Sequence, residues 1–241
     1  MTREHKTMTA LVTGGSEGLG LELVRSLSDQ GWDVVTDARN GDRLHANLAE
    51  LSERRRVRAV PGDVADAVHR GILVDLVAQL GGLDLLVLNA STLGPLPMRP
   101  LRELKATELG DTIRGTAGAN AALMIELTDQ LLRRDGVVVG ISSDAAAEHY
   151  ETWGPYGAAK AALDHLVQTF GAETGLRSYA VDPGDMQTRM HQDAFPGADI
   201  SDLPLPAEIV PRLLALVAQR PPTGRYRAAD VELPDRQGVP A

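Results

Sequence analysis

The 241-residue chain contains no cysteine, which excludes disulfides and thiolate chemistry. That absence fits a reducing compartment. The chain also lacks an excess of basic charge. Lys and Arg number 24 against 33 Asp and Glu, for a net charge of −9. An acidic chain is without the basic footprint expected of proteins that bind nucleic acid or anionic membrane. No stretch approaches the ~20 apolar residues that span a bilayer. Met1 to Met8 is polar and has no apolar core of a signal peptide. No internal repeat or low-complexity linker interrupts the chain. These absences predict a cytoplasmic protein with no nucleic-acid or membrane partner.

What is present is enough apolar sequence, 43% of residues, for a sizeable core. Short apolar runs alternate with longer segments of helical period. The runs are Thr9 to Val12, Asp33 to Thr36, Arg58 to Val60, Leu83 to Leu88, Val137 to Ile141 and Arg177 to Val181. Apolar runs without alternation suit parallel strands buried on both faces. Helices are predicted over Leu19 to Gln30, with Gly31 closing it, and over Asp42 to Arg54, Asp66 to Gln79, Asn120 to Arg134, Tyr156 to Glu173 and Glu208 to Gln219. The order implies an α/β fold: a Rossmann-type, doubly wound parallel sheet with helices on both faces, in one domain over 9–230. Residues 1–8 and 231–241 are expected to be flexible tails. Residues 91–100 are read as a loop, and 187–206 as a mobile loop over the substrate.

After the first run comes Thr13-Gly14-Gly15-Ser16-Glu17-Gly18-Leu19-Gly20, then a helix. A helix N-terminus offers free N–H groups and partial positive charge, and glycines let a pyrophosphate approach the backbone. Gly14, Gly18 and Gly20 suit that work. The second run leads into Asp37-Ala38-Arg39. An acidic residue near this point binds a ribose 2′-OH, whereas an arginine meets a 2′-phosphate. Ala38 holds the usual acidic position, so Arg39 points to NADP(H) over NAD(H). A solvated surface residue is the other reading of Arg39. Asp63 suits an adenine amino group or a helix N-cap, or both. Asn89 and Ala90 end the fourth run, where Asn89 serves either the cofactor or the tie between strands.

Tyr156 and Lys160 stand one helical turn apart on one face. A neighbouring ammonium favours the phenolate and brings tyrosine toward a useful acid–base range. Ser143 ends the fifth strand at the same sheet edge and can donate to a carbonyl oxygen where charge develops. Asn120 opens the preceding helix, where a polar residue can locally kink the helix or cap a turn.

These residues bring the chain to a resemblance with the short-chain dehydrogenase/reductase family, from Leu11 to about Arg227. Thr13 to Gly20 matches its T-G-x-x-x-G-x-G, and Asp63 its adenine-binding Asp. Ser143, thirteen residues before Tyr156, and Lys160 match its Ser…Y-x-x-x-K. Pro183-Gly184 and Thr188 match its P-G-x-x-x-T. The resemblance implies that Tyr156 protonates a carbonyl or accepts an alcohol proton, that Lys160 lowers its pKa and binds the nicotinamide ribose, that Ser143 polarises the substrate oxygen, and that Asn120 holds a relay water. It implies a cofactor cradle of Gly14, Ser16, Glu17, Gly18, Leu19, Arg39, Asp63, Val64, Asn89, Ala90, Tyr156, Lys160, Pro183, Gly184, Met186 and Thr188. The chain departs from the family in reading Leu88-Asn89-Ala90-Ser91 for N-N-A-G. Arg114 and Thr116 also fall near the Asn120 register. At the C-terminus only Thr223-Gly224 remains of an apolar strand with paired glycines, which bears against tetramer assembly there.

The expected function is an NADPH-dependent ketoreductase acting on a small-molecule ketone. Ser143, Tyr150, Trp153 and Met190 are candidate substrate contacts, with ordinary packing the other reading of the last three. His149 and His191 lack a second ligand at metal-binding spacing, so no metal is expected. In the family, the helices matching those at Asn120 and Tyr156 pair across a two-fold axis. A homo-dimer or homo-tetramer is therefore expected. The alternative is a non-catalytic NADP(H)-sensing protein that binds a partner, against which the intact Ser143, Tyr156 and Lys160 argue. An enoyl reductase is opposed by the Tyr156–Lys160 spacing, and a longer two-lobed epimerase or dehydratase by the short C-terminal region.

Overall fold

The structure, a computed structural model, describes residues 7–53 and 56–234. In chain order the elements are β1 (Thr9–Val12), α1 (Gly18–Asp29), β2 (Asp33–Ala38), α2 (Gly41–Glu53), β3 (Val57–Pro61), α3 (Ala67–Gln79), β4 (Leu85–Leu88), α4 (Ala106–Ile113), α5 (Ala119–Glu126), α6 (Thr128–Arg134), β5 (Val137–Ile141), α7 (Gly154–Thr174), β6 (Arg177–Asp182), α8 (Arg189–Ala194), α9 (Pro206–Gln219) and β7 (Gly224–Arg227). The strands form one parallel sheet in the order β3-β2-β1-β4-β5-β6-β7.

Successive strand residues point to opposite faces, and here both faces are dry. Ala10, Val12, Val34, Val87 and Val139 pack with Leu23 and Leu27 of α1, Leu44 of α2 and Leu213 of α9. Leu11, Val35, Leu86 and Val138 face the other way, onto Leu73 of α3, Leu123 of α5 and Leu163 of α7. This two-sided burial explains why the strands read as unbroken apolar runs. Gly31, at φ +86°, follows α1 in the left-handed conformation expected of it.

The structure departs from the sequence reading in four places. A seventh strand, β7, reads Gly-Arg-Tyr-Arg and carries no apolar run. As the sheet edge beyond β6 it is only partly buried, so the two-sided signal is missing. The helix expected from Asn120 instead continues a run that begins at Ala106, passing through a π-helical turn at Arg114–Gly118. Such turns interrupt the period a sequence reading relies on. The expected loop 187–206 contains α8, capped by Thr188 Oγ1, which accepts the His191 N–H at 3.1 Å. The expected C-terminal tail begins as packed chain: Val231 is buried, and its carbonyl accepts from Arg212 at 2.7 Å. Residues 1–6 and 235–241, where the rest of the predicted tails fall, lie outside the described residues.

Helix α1 approaches the β1 turn so closely that a Cβ on Gly20 would press on the Gly14 carbonyl and the Asn89 amide. Gly20→Ala is therefore expected to lower stability by ~1–3 kcal/mol, measured by urea unfolding. An unchanged midpoint would show that this contact does not constrain the fold.

Candidate active site

From β1 the chain winds outward to β2 and β3, then returns to β4 on the other side of β1. The crossovers leave β1 and β4 in opposite directions, and a crevice opens at their carboxyl ends, the position where open α/β sheets take ligands. A cavity of about 630 Å³ lies there. Side chains tie its floor together. Thr13 Oγ1 accepts the N–H groups of Asn89 and Ala90, both at 2.9 Å, and donates to Asn120 Oδ1 at 3.2 Å. Asn89 Nδ2 donates to the Thr13 carbonyl at 2.8 Å and the Gly14 carbonyl at 3.2 Å. Asn120 Nδ2 donates to the carbonyls of Ala90 at 2.8 Å and Thr116 at 2.7 Å.

Gly14 and Gly18 hold left-handed backbone, at φ +74° and +58°, which suits glycine. Gly15, not singled out from sequence, leaves no room for a side chain because Thr36 Oγ1 occupies the space. Gly20 serves packing rather than a ligand. The first turn of α1 has no side-chain cap from Glu17, so its N–H groups are available to an anion.

At the far end of the cavity, Arg39 lines the wall as expected. Arg43, four residues on, joins it and pairs with Glu17 at 2.6 Å. Arg43 was missed, although its position one turn past Arg39 was visible. Asp37 is turned inward. Its Oδ1 accepts the Gly14 N–H at 3.0 Å, and its Oδ2 meets His69 Nε2 at 3.1 Å in a buried pair. Asp63 and Val64 line the cavity; Asp63 Oδ1 accepts the Ala65 N–H at 2.9 Å, while Asp66 supplies the α3 cap.

At the near end, Ser143 follows β5, and α7 presents Tyr156 and Lys160 to the same cavity. Ser143 Oγ donates to Asp144 Oδ1 at 2.9 Å. Lys160 Nζ donates to the Ile141 carbonyl at 2.7 Å and stands 5.5 Å from the Tyr156 ring centroid. Burial pushes the Tyr156 hydroxyl up to about 12, against the neighbouring Ser143 hydroxyl, which favours the phenolate; Asp144, Asp182 and Asp185 raise it further. Burial pushes Lys160 down to about 8, opposed by Asp164. The expected lowering of tyrosine by lysine is therefore not met in this arrangement. Desolvation disfavours the charged form of both groups.

Gly14, Ser16, Glu17, Gly18, Leu19, Asn89, Ala90, Pro183, Gly184, Met186 and Thr188 also line the cavity, as do Trp153 and Met190. Two named residues do not. The Asn120 side chain is fully buried and bonded to Thr13, Ala90 and Thr116. Tyr150 is exposed, and its hydroxyl donates to Asp144 Oδ2 at 2.9 Å. Trp153 stands edge-on to Tyr156 at 5.5 Å and is backed by Phe195 at 5.7 Å. Among the described residues, no His, Cys, Asp and Glu group could hold a metal, and no helix is long and apolar enough to cross a membrane.

The family described as short chain dehydrogenase matches residues 8–199. The uncharacterized oxidoreductase YciK of Escherichia coli K12 is 28% identical over 215 residues, covering 86% of this chain and 84% of its own. A tropinone reductase homolog of Arabidopsis thaliana, At5g06060, is 31% identical, covering 82% and 78%. Among solved structures, one described as a short chain dehydrogenase of Shigella flexneri complexed with NADP superposes with a TM-score of 0.85 at 27% identity, over 92% of this chain and 97% of that one. A counterpart from Escherichia coli CFT073, complexed with NADPH, gives 0.83 at 28%, over 92% and 96%. With a seven-stranded Rossmann-type sheet, a glycine loop at its switch point and Ser143, Tyr156 and Lys160 in one cavity, the chain belongs to the short-chain dehydrogenase/reductase family of NAD(P)-dependent oxidoreductases.

Proposed function

We propose that the protein is an NADPH-dependent carbonyl reductase, with Tyr156 as proton donor to a small-molecule ketone. The observation that carries this reading is that Tyr156, Ser143 and Lys160 meet in one cavity, with burial pushing the Tyr156 hydroxyl up to about 12. The protonated phenol can give its proton to a carbonyl oxygen.

The far end of the cavity fits a dinucleotide. The α1 terminus is uncapped, and a Cβ on Gly18 would meet only the Thr188 side chain, at 3.5 Å, so the loop is open to a ligand. Arg39 and Arg43 suit a 2′-phosphate, and the relatives solved with NADP and NADPH support that choice. Asp63 and Val64 would hold the adenine end; Thr188, Pro183 and Gly184 would lie at the nicotinamide. When bound, the cofactor supplies the hydride.

This chain's residues manage the oxygen and its proton. Ser143 donates to the carbonyl oxygen as charge builds there. To do so, its hydroxyl turns away from Asp144. Tyr156 delivers the proton, and the Lys160 ammonium stabilises the phenolate left behind. Leu93, Trp153, Met186 and Met190 give the substrate end an apolar wall with one aromatic face, which supports an apolar or aromatic ketone. The exposed Ile125 on α5 and Leu166 on α7 support pairing of two copies through these helices.

Titration by tryptophan quenching or cofactor fluorescence is expected to show NADPH binding more tightly than NADH. Arg39→Ala and Arg43→Ala should each weaken NADPH by about tenfold and leave NADH unchanged; equal losses for both nucleotides would sink the phosphate reading. Tyr156→Phe should keep NADPH affinity and lose about 10²–10⁴-fold in turnover, followed by NADPH consumption against the carbonyls that the wild type reduces. In the wild type, kcat/KM for reduction should stay flat up to neutral pH and fall as pH rises through about 8. There Lys160 loses its proton while Tyr156, at about 12, keeps its own. A fall with an apparent pKa near 6 instead would contradict this assignment.

A further inference from the structure

Edge strand β7 returns one side chain to the catalytic centre. Arg225 Nη2 donates to the Ser143 carbonyl at 2.8 Å, and its Nε donates to Asp164 Oδ2 at 3.1 Å. The guanidinium also stands 3.7 Å from Asp182 Oδ2. Asp164 lies one turn beyond Lys160 on α7, on the same helix face. Its side chain is 8% exposed, and the same Oδ2 accepts the Ser142 hydroxyl at 2.7 Å. The other oxygen, Oδ1, is buried and has no hydrogen-bond partner among the described residues. A buried carboxylate oxygen without a donor is costly unless a nearby cation offsets it. Arg225 offsets the carboxylate at Oδ2, and Lys160, one helical turn away and itself buried, donates to a neutral carbonyl, that of Ile141.

The titratable and charged groups around Lys160 are therefore Tyr156 and Asp164 on its own helix, Asp182 at the end of β6, and Arg225 on β7. The Ser142 and Ser143 hydroxyls follow β5. Of the carboxylates, Asp182 and Asp164 both face Arg225, and Asp164 is the one on the helix face of Lys160, one turn away.

We infer that Asp164, held in place by Arg225 and Ser142, is a positioning residue that sustains the ammonium form of Lys160. The inference rests on the reading of Tyr156 and Lys160 as the reacting pair. Burial alone drives Lys160 toward the neutral amine, and Asp164 opposes it. Burial pushes Asp164 above the usual carboxylate range, and the Ser142 hydroxyl and Arg225 oppose it by favouring the carboxylate. The chain from β7 to Tyr156 thus alternates in sign: guanidinium, carboxylate, ammonium, phenol.

The sequence makes this directly measurable, because Lys6, Lys105 and Lys160 are its only lysines. In the full chain labelled with ¹³C-lysine, each side chain gives one NMR signal to follow against pH. The wild-type Lys160 signal should titrate below the ordinary lysine range, at about 8. In Asp164→Asn and in Asp164→Ser its midpoint should fall further, by about half a pH unit or more. The two variants remove the charge with side chains of different size, so that poor folding of one leaves the other to decide. Asp164→Glu keeps the charge and should keep the Lys160 midpoint close to wild type. A midpoint unmoved in both neutral variants, or moved as far by Glu as by Asn, would overturn the inference. This reading needs no turnover. An active Tyr156→Phe enzyme would remove the proposed reaction and leave the Lys160 result to stand by itself.

Discussion

Beyond the carboxyl ends of β1 and β4 the paired ladder stops at the crevice, which leaves backbone donors and acceptors that no neighbouring strand can satisfy. Buried unpaired groups are costly, so the crevice exists only because side chains replace the missing ladder. Thr13 does this for the Asn89 and Ala90 N–H groups, Asn89 for the Thr13 and Gly14 carbonyls, and Asn120 for the Ala90 carbonyl. The glycine loop, the end of β4 and the kinked helical run from α4 to α5 are thereby fixed to one another. The positions of Gly14, Gly18 and the cavity walls follow from that knot.

The same construction explains the electrostatics. Tyr156 and Lys160 are buried in the cavity wall, and desolvation disfavours charge on both. The site responds by keeping the proton on the tyrosine and placing a carboxylate, Asp164, behind the lysine. Farther out, two arginines on the α2 side of the cleft set its other polarity, with Arg43 paired to Glu17 across the loop. The cavity is thus polar in a divided way, cationic where a phosphate would sit and proton-retaining where a carbonyl would sit.

Much of this was legible in the chain. Strands buried on both faces announce themselves as apolar runs, and β1, β2, β4, β5 and β6 were read that way, whereas β3, a partly exposed edge strand, offered only a short run. Ser143, Tyr156, Lys160 and the glycine loop were singled out by their spacing, and the structure brings them to one cavity. What was not legible lacks such a signal. β7 is an edge strand with alternating charge. The α4 helix is separated from α5 by a π-helical turn that shifts the period. The Asp37–His69 pair and the Asp164–Arg225 pair join residues distant in sequence, and only the sheet brings them together. Asn120 was identified, but its fully buried amide is bonded to Thr13, Ala90 and Thr116, a role that a register argument does not reveal.

The central claim is that burial keeps Tyr156 protonated, which makes the resting enzyme a proton donor. Ultraviolet difference titration of tyrosine ionisation, comparing wild type with Tyr156→Phe, tests it most directly. The account predicts that the two curves coincide up to about pH 10, the ordinary range of tyrosine, and that above it the wild type ionises one tyrosine more than the variant, in which Tyr179 is also pushed up to about 12 by burial. A phenolate present in the wild type and absent from the variant near neutral pH would contradict the account.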